Sequence, residues 1–295
     1  MQILKVENLT KSFQDKIILD SLSFYLNQGE VVGFLGSNGA GKSTTLRSIL
    51  GIYSYDKGDI KYSLKNKESQ IGYLPEERGM YKDVKVKDML LYFSRLKDYP
   101  DSKAKKAIPK YLKKFGLEGK ENLKIEELSK GMAQKVQFIG SILHEPKLLI
   151  LDEPLSGLDP ISQDMFKKEI RELAKKGTTI FFSSHQIDLV EELCNRVYLL
   201  NQGKFVIQGD INKIKEQYGG YTLTITTDKL PEQLKEISTH IDQTNQTYKL
   251  LLNSEIKKKE ILKLLKDTQF DEISIKRISL HEIYVREVKK GENKK

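Results

Sequence analysis

What the 295-residue chain lacks narrows the field before any motif is read. It has one cysteine, Cys194, so no disulfide can form within it, and a reducing compartment suits it. No stretch approaches the roughly 18 consecutive apolar residues a spanning helix needs, so no segment is expected to cross a bilayer. The first residues, MQILKVENLT, have neither the basic start nor the apolar stretch and cleavage site of a secretory signal. The cytosol is the natural reading. His144, His240 and His281 are scattered with no second ligand at metal spacing, which argues against zinc. Aromatic residues do not interleave with basic ones as stacking platforms would, so no nucleic acid is expected. Internal repeats and low-complexity tracts are absent as well.

What is present suits a folded chain of one large or two ordinary domains: 38% of the residues are hydrophobic and 31% are charged. The formal charge is +9, with a concentration of ten Lys/Arg against four Asp/Glu between Arg95 and Lys124. A solvated helical face accounts for that excess; a surface lying against anionic headgroups is the alternative.

Residues 1 to about 217 read as one α/β unit. Val31–Leu35, Leu148–Leu151, Thr178–Phe182 and Val197–Leu200 are short apolar runs of the kind buried strands show. Helical patterns at Ser43–Leu50 and Leu189–Asn195 lie between them, so a parallel sheet is expected. A helix-rich insert over about 83–143 interrupts the alternation, with helices at Val86–Leu96 and Lys103–Phe115 bounded by Pro100 and Gly116. Gly219-Gly220 is read as a boundary. Beyond it, residues 218–295 alternate strand-like runs (Tyr221–Thr227, Thr247–Asn253, Glu272–Ile278) with helix-like ones (Pro231–Ser238, Ile256–Lys266), as a small α/β domain would. The apolar set Leu280, Ile283, Tyr284 and Val288 suggests a last helix docked on that domain's own sheet, or else a dimer contact, and the terminal GENKK is expected to fray. Cys194 reads as a small core residue.

Two motifs point to phosphate chemistry. GSNGAGKST (Gly36, Ser37, Asn38, Gly39, Ala40, Gly41, Lys42, Ser43, Thr44) matches G-x-x-x-x-G-K-[ST] between an expected strand and an expected helix. Its glycines let backbone N–H groups curl around phosphate oxygens, and the helix behind them aims its positive end at the same charge. Lys42 can then reach the β- and γ-phosphates, and the Ser43 hydroxyl can ligate Mg²⁺. LLILDEP, Leu148–Pro154, is an apolar strand ending in two acids, where open α/β sheets place ligands. Asp152 would hold Mg²⁺, directly or through water, and Glu153 would accept a proton from attacking water.

These two elements mean only an NTPase. The type comes from LSKGM at Leu128–Met132, SGLDP at Ser156–Pro160, His185 after FFSS, YLPEE at Tyr73–Glu77, and Phe13. In this order they resemble the signature, D-loop, switch histidine, Q-loop and adenine-stacking aromatic of the ABC ATPases, over residues 1–217. The resemblance implies a P-loop NTPase fold: a RecA-like core, an antiparallel β subdomain and a helical subdomain. It implies ATP clamped between two copies of the domain, with Ser129 and the Gly131 amide of one contacting the γ-phosphate held by Lys42 of the other. His185 would align that phosphate with the attacking water, and Asp159 would couple the two sites. The chain departs from the general pattern at Glu76, where glutamine is usual, and at Lys130 and Met132 in the signature. A carboxylate at 76 can still serve Mg²⁺.

Those departures, with ISLHEIYVREV near the end, are similar to bacterial sodium, drug and peptide efflux ATPases that carry a small C-terminal accessory domain. That branch implies a transmembrane permease as partner, a second ATPase subunit, either identical or a paralogue, and a place on the inner face of the membrane. The rival is a soluble ABC ATPase acting on the ribosome or DNA. Against it stand a single P-loop with a single signature, and no heptad insert between Gly36 and Asp152.

Overall fold

The computed structural model describes residues 1–292 other than 78, 254 and 267, with the side chains of 288–292 also left aside. The chain divides into two units, Met1–Gln208 and Gly209–Lys295.

In the first unit, β1 (Gln2–Phe13) and β2 (Lys16–Asn27) form an antiparallel hairpin. The strand β3 (Val31–Gly36) leads to α1 (Lys42–Ile49), and β4 (Lys57–Tyr62) returns to pair with β1. A short helix α2 (Lys67–Gln70) precedes β5 (Ile71–Leu74). The insert follows as α3 (Val86–Arg95), α4 (Asp101–Lys114), a 3₁₀ turn at Ile125–Glu127, and α5 (Lys130–Ile142). Then come β6 (Leu148–Asp152), α6 (Pro160–Lys175), β7 (Thr179–Ser184), α7 (Ile187–Leu193), β8 (Arg196–Asn201) and β9 (Lys204–Asp210). The main sheet has the order β5-β6-β7-β3-β8-β9, and its first five strands run parallel. Every residue of β3, β6 and β7 is buried, because both faces of a parallel sheet are covered.

The three-stranded sheet β2-β1-β4 packs on this sheet through an aromatic cluster. Phe24 from β2 meets Phe34 of β3 and Phe181 of β7, with ring centroids 6.2 and 5.6 Å apart. The insert is joined to α6 by a second cluster, Phe115, Phe138 and Phe166; the last two rings lie 4.3 Å apart. Cys194 ends α7 with its sulfur against Gly33 of β3, and burial pushes its thiol well above the ordinary range.

The second unit contains α8 (Ile211–Tyr218), β10 (Tyr221–Thr226), α9 (Glu232–Glu236), β11 (Ser238–Thr244), β12 (Thr247–Leu252), α10 (Lys258–Leu264), β13 (Glu272–Arg277) and α11 (Leu280–Glu292). Its antiparallel sheet has the order β11-β12-β10-β13, the β-α-β-β-α-β arrangement of a split βαβ fold. Leu223, Ile225 and Leu250 of the sheet pack with Leu234 and Ile261 of the two helices. The terminal helix docks on the same unit: Leu280 and Ile283 are fully buried, and Glu282 bonds Thr222 and Lys249 of the sheet. The side chain of Val288 is outside the described residues, as are residues 293–295 of the segment expected to fray.

The division falls nine residues before the expected 217/218 boundary. Asp210 caps α8 by accepting a hydrogen bond from the Lys213 N–H, and α8 packs against α11. Gly219 and Gly220, with φ of 57° and 87°, are thus a left-handed turn inside the second unit, from α8 into β10.

Candidate active site

Because β6, β7 and β3 are parallel neighbours, their C-terminal ends lie side by side. That end of the sheet receives the loop after β3, the acidic pair after β6 and the histidine after β7. Two glycines of the loop are irreplaceable on steric grounds. A Cβ on Gly36 would stand 2.7 Å from the Leu200 carbonyl oxygen. Gly41, at the start of α1, has φ of +108° and would drive a Cβ to 2.7 Å from Leu19 Cδ2.

Lys42 is 6% exposed and folds back over its own loop, donating to the carbonyls of Gly36 at 2.8 Å and Ser37 at 3.3 Å. Its Nζ lies 3.5 Å from Glu153 Oε1. The other oxygen of Glu153 is 3.0 Å from His185 Nδ1, so one carboxylate joins the P-loop lysine to the histidine. Glu153 holds a left-handed backbone, φ 48°, at the sharp exit from β6. Its N–H donates to Ser183 Oγ at 3.1 Å, and the same hydroxyl donates to Asp152 Oδ1 at 2.5 Å. Ser183 therefore sets the orientation of both acids, a role hidden in the sequence inside the apolar run before His185. Asp152 is 1% exposed and its Oδ2 has no hydrogen-bond partner.

A cavity of about 580 Å³ opens here. Phe13, Asn38, Gly39, Gly41, Lys42, Ser43, Thr44, Glu76, Glu153 and His185, all singled out from sequence, line it, and Ile18 and Ser156 join them. Phe13 sits at the rim, 43% exposed, its ring edge-on to Tyr53 at 5.5 Å. Gly36, Ser37, Ala40 and Asp152 are not among its lining residues. Ser129 and Gly131 are not part of it in this chain. Ser129 instead caps α5, accepting from the Met132 N–H at 3.3 Å, and Asp159 caps α6 through the Ser162 N–H at 3.0 Å. The alternation of β2, with apolar side chains turned inward, was the one signal for Ile18; Ser156 lies in the SGLDP segment already noted.

The helix behind the signature reaches the site by two amide side chains. Gln134 donates to the Pro154 carbonyl at 2.9 Å, and the buried Gln137 donates to the Glu77 carbonyl at 3.2 Å. Insert and core thus share hydrogen bonds at both acidic turns. Away from the site, burial lowers His144 to about 4, and His240 pairs with Asp242 at 3.0 Å.

The chain is similar to known proteins over most of its length. The profile of the family described as ABC transporter matches residues 19–156, and that of the DrrA1-3-like ATP-binding protein C-terminal domain matches residues 209–288. The uncharacterized ABC transporter ATP-binding protein YhaQ of Bacillus subtilis (strain 168) is 40% identical over 97% of this chain and 98% of its own length. The linearmycin resistance ATP-binding protein LnrL of the same organism (strain 168) is 33% identical over 75% of this chain and 73% of that protein. A solved ATP-binding subunit of an ABC transporter superposes with a TM-score of 0.69 at 29% identity, covering 73% of this chain and 93% of that one. Among the described residues no helix is long and apolar enough to cross a membrane. With a P-loop, an acidic pair and a histidine meeting at the strand ends of this fold, the chain belongs to the ATP-binding proteins of ABC transporters and is an ATPase.

Proposed function

We propose that the chain is the ATP-hydrolysing subunit of an efflux transporter and drives export through a separate transmembrane permease on the inner face of the membrane. The observation that supports this most is the carboxylate of Glu153, held between Lys42 and His185 at the mouth of the nucleotide cavity. The named relative LnrL, a resistance protein, supports efflux as the direction.

In this reading the P-loop amides, Lys42 and the α1 N-terminus take the phosphates, and Phe13 stacks on the adenine. Glu153 accepts the proton of the attacking water while His185 keeps that water in line with the γ-phosphate. The donor set fits Mg²⁺: Asp152 offers a buried oxygen without a partner, Ser43 a hydroxyl, and Glu76 a carboxylate at the cavity wall. Among the described residues no three His, Cys, Asp or Glu side chains could hold a metal alone, so phosphate oxygens would complete the shell. Bound there, Mg²⁺ would offset the negative charge of the phosphates.

Ser129 and Gly131 complete the site from a second ATPase subunit. Their absence from this chain's own cavity lining supports that requirement. Asp159 couples the two sites, and closure passes to the permease through the groove near Glu76–Lys87, of which Arg78 is outside the described residues. The test is affinity purification of tagged Glu153→Gln protein with ATP from detergent-solubilised cells. A stoichiometric multi-span membrane protein is the expected companion. Recovery of the chain alone, or with ribosomes or DNA-bound factors, would overturn the transport reading and leave the ATPase intact.

A further inference from the structure

A second concave site lies in the first unit, away from the nucleotide cavity. It is a cleft of about 540 Å³, within the 300–1,000 Å³ usual for small-ligand pockets. One wall is a stripe of α4 bearing Lys103, Lys106, Lys110 and Lys114. The facing wall carries Glu145, just beyond α5, then Glu169 of α6 and Lys176 at its end.

The charges in this cleft divide into two groups. Lys114 is bound to the buried Glu169 and to Glu172, so its charge is already taken up by carboxylates. Lys103, Lys106 and Lys110 are exposed, and none has a carboxylate within ion-pair distance among the described residues. The remaining carboxylate, Glu145, faces Tyr99. Tyr111, between Lys110 and Lys114 along the same wall, has its hydroxyl pushed up to about 12, chiefly by burial, and so stays a donor.

Nothing in the stability of α4 calls for this arrangement. Lys103/Lys106 and Lys106/Lys110 are like-charge pairs at i,i+3 and i,i+4, which destabilise a helix. Lys103 also lies in the first turn, near the positive end of the helix dipole, where cations are disfavoured. The lysines oppose local folding yet converge on a concavity, with about 10 Å of helix between Lys103 and Lys110.

We propose that this cleft binds a ligand bearing two or more phosphate groups, gripped by Lys103, Lys106 and Lys110 with Lys176 opposite. Such a ligand bridges the insert, through α4, and the core, through α6. Its phosphates come from a soluble polyphosphate or from an anionic lipid headgroup, and the shared chemistry is a compact polyanion.

The test uses the full chain with its P-loop saturated by Mg-ADP, so that the nucleotide cavity cannot take the probe. Inorganic tripolyphosphate is titrated calorimetrically, and flotation is measured on phosphatidylcholine vesicles with and without cardiolipin. Lys106→Glu/Lys110→Glu is compared with Lys258→Glu/Lys259→Glu, an equal change of net charge on the exposed start of α10. The cleft variant is expected to lose roughly tenfold or more in affinity, and the control to stay within about twofold of the parent. Tripolyphosphate binding supports the proposal with a soluble source; binding to cardiolipin vesicles alone supports it with a lipid source. Absence of binding to both, or an equal loss in the two variants, overturns it. If the charge reversal unfolds the chain, Lys106→Gln/Lys110→Gln against Lys258→Gln/Lys259→Gln gives the same comparison without added repulsion.

Discussion

Replacing Glu153 by glutamine should move ATP binding and ATP hydrolysis in opposite directions. In the structure Glu153 is the counter-ion of Lys42: 3.5 Å apart, 9% and 6% exposed. Incoming phosphate must take Lys42 from that carboxylate and then tolerate its negative charge nearby. At 3.5 Å and an effective dielectric of about 20, the pair's Coulomb energy is about 5 kcal/mol before desolvation is set against it. Lys42 keeps its bonds to the Gly36 and Ser37 carbonyls in the variant, so most of that figure does not reach the binding equilibrium. A residue of about 1–2 kcal/mol is reasonable, which makes Mg-ATP bind about 5–30-fold tighter to Glu153→Gln. Turnover should meanwhile fall about 10²-fold or more, because the amide cannot take a proton from water. Stopped-flow binding of a fluorescent ATP analogue, beside a steady-state phosphate-release assay, measures both. Equal or weaker ATP affinity would refute the view that the carboxylate competes for Lys42. Normal turnover would refute its role as base.

Three further outcomes follow from the same geometry and its support. Lys42→Ala should weaken ATP by about tenfold to a hundredfold, the worth of a charged hydrogen bond, and unchanged affinity in calorimetry would count against the P-loop assignment. Ser183→Ala removes the hydroxyl that orients Asp152 and Glu153, so kcat should drop about 10–100-fold with little change in thermal stability; an unaltered kcat means the acids orient themselves. Phe24→Ala empties the aromatic cluster between the two sheets of the first unit and should cost about 3–5 kcal/mol in denaturant unfolding, whereas a loss below about 1 kcal/mol would show that the cluster collapses around the gap.

The strands that carry the site were legible because they are buried on both faces. Val31–Leu35 and Leu148–Leu151 have no polar residue to blur the signal, and they lead straight into GSNGAGKST and DEP. The hairpin β1–β2 was harder to read: register shifts between Val6 and Leu9, with Asn8 at φ 50°, break its alternation. An edge strand such as β11 buries almost nothing, so Thr239–Thr244 shows no inward face in the sequence. Gly219-Gly220 suggested a boundary because a left-handed turn and a linker use the same residues; the packing of α8 on α11, a long-range contact, decides between them. Ser183 went unread for a similar reason, since its two partners lie thirty-one and thirty residues earlier in the chain, Asp152 and Glu153.

The single cysteine has a practical consequence. Cys194 keeps its sulfur against Gly33, and the surrounding apolar packing holds it as a neutral thiol. Maleimides and nitroxide reagents attack thiolates in reach of water, so the half-buried Cys194 should react with them more slowly than an exposed cysteine. Spin labels or fluorophores can be attached through new cysteines at exposed positions such as Lys106 or Lys258 without first removing the native one. Opening and closing of the ATPase cycle then becomes measurable in the otherwise native sequence.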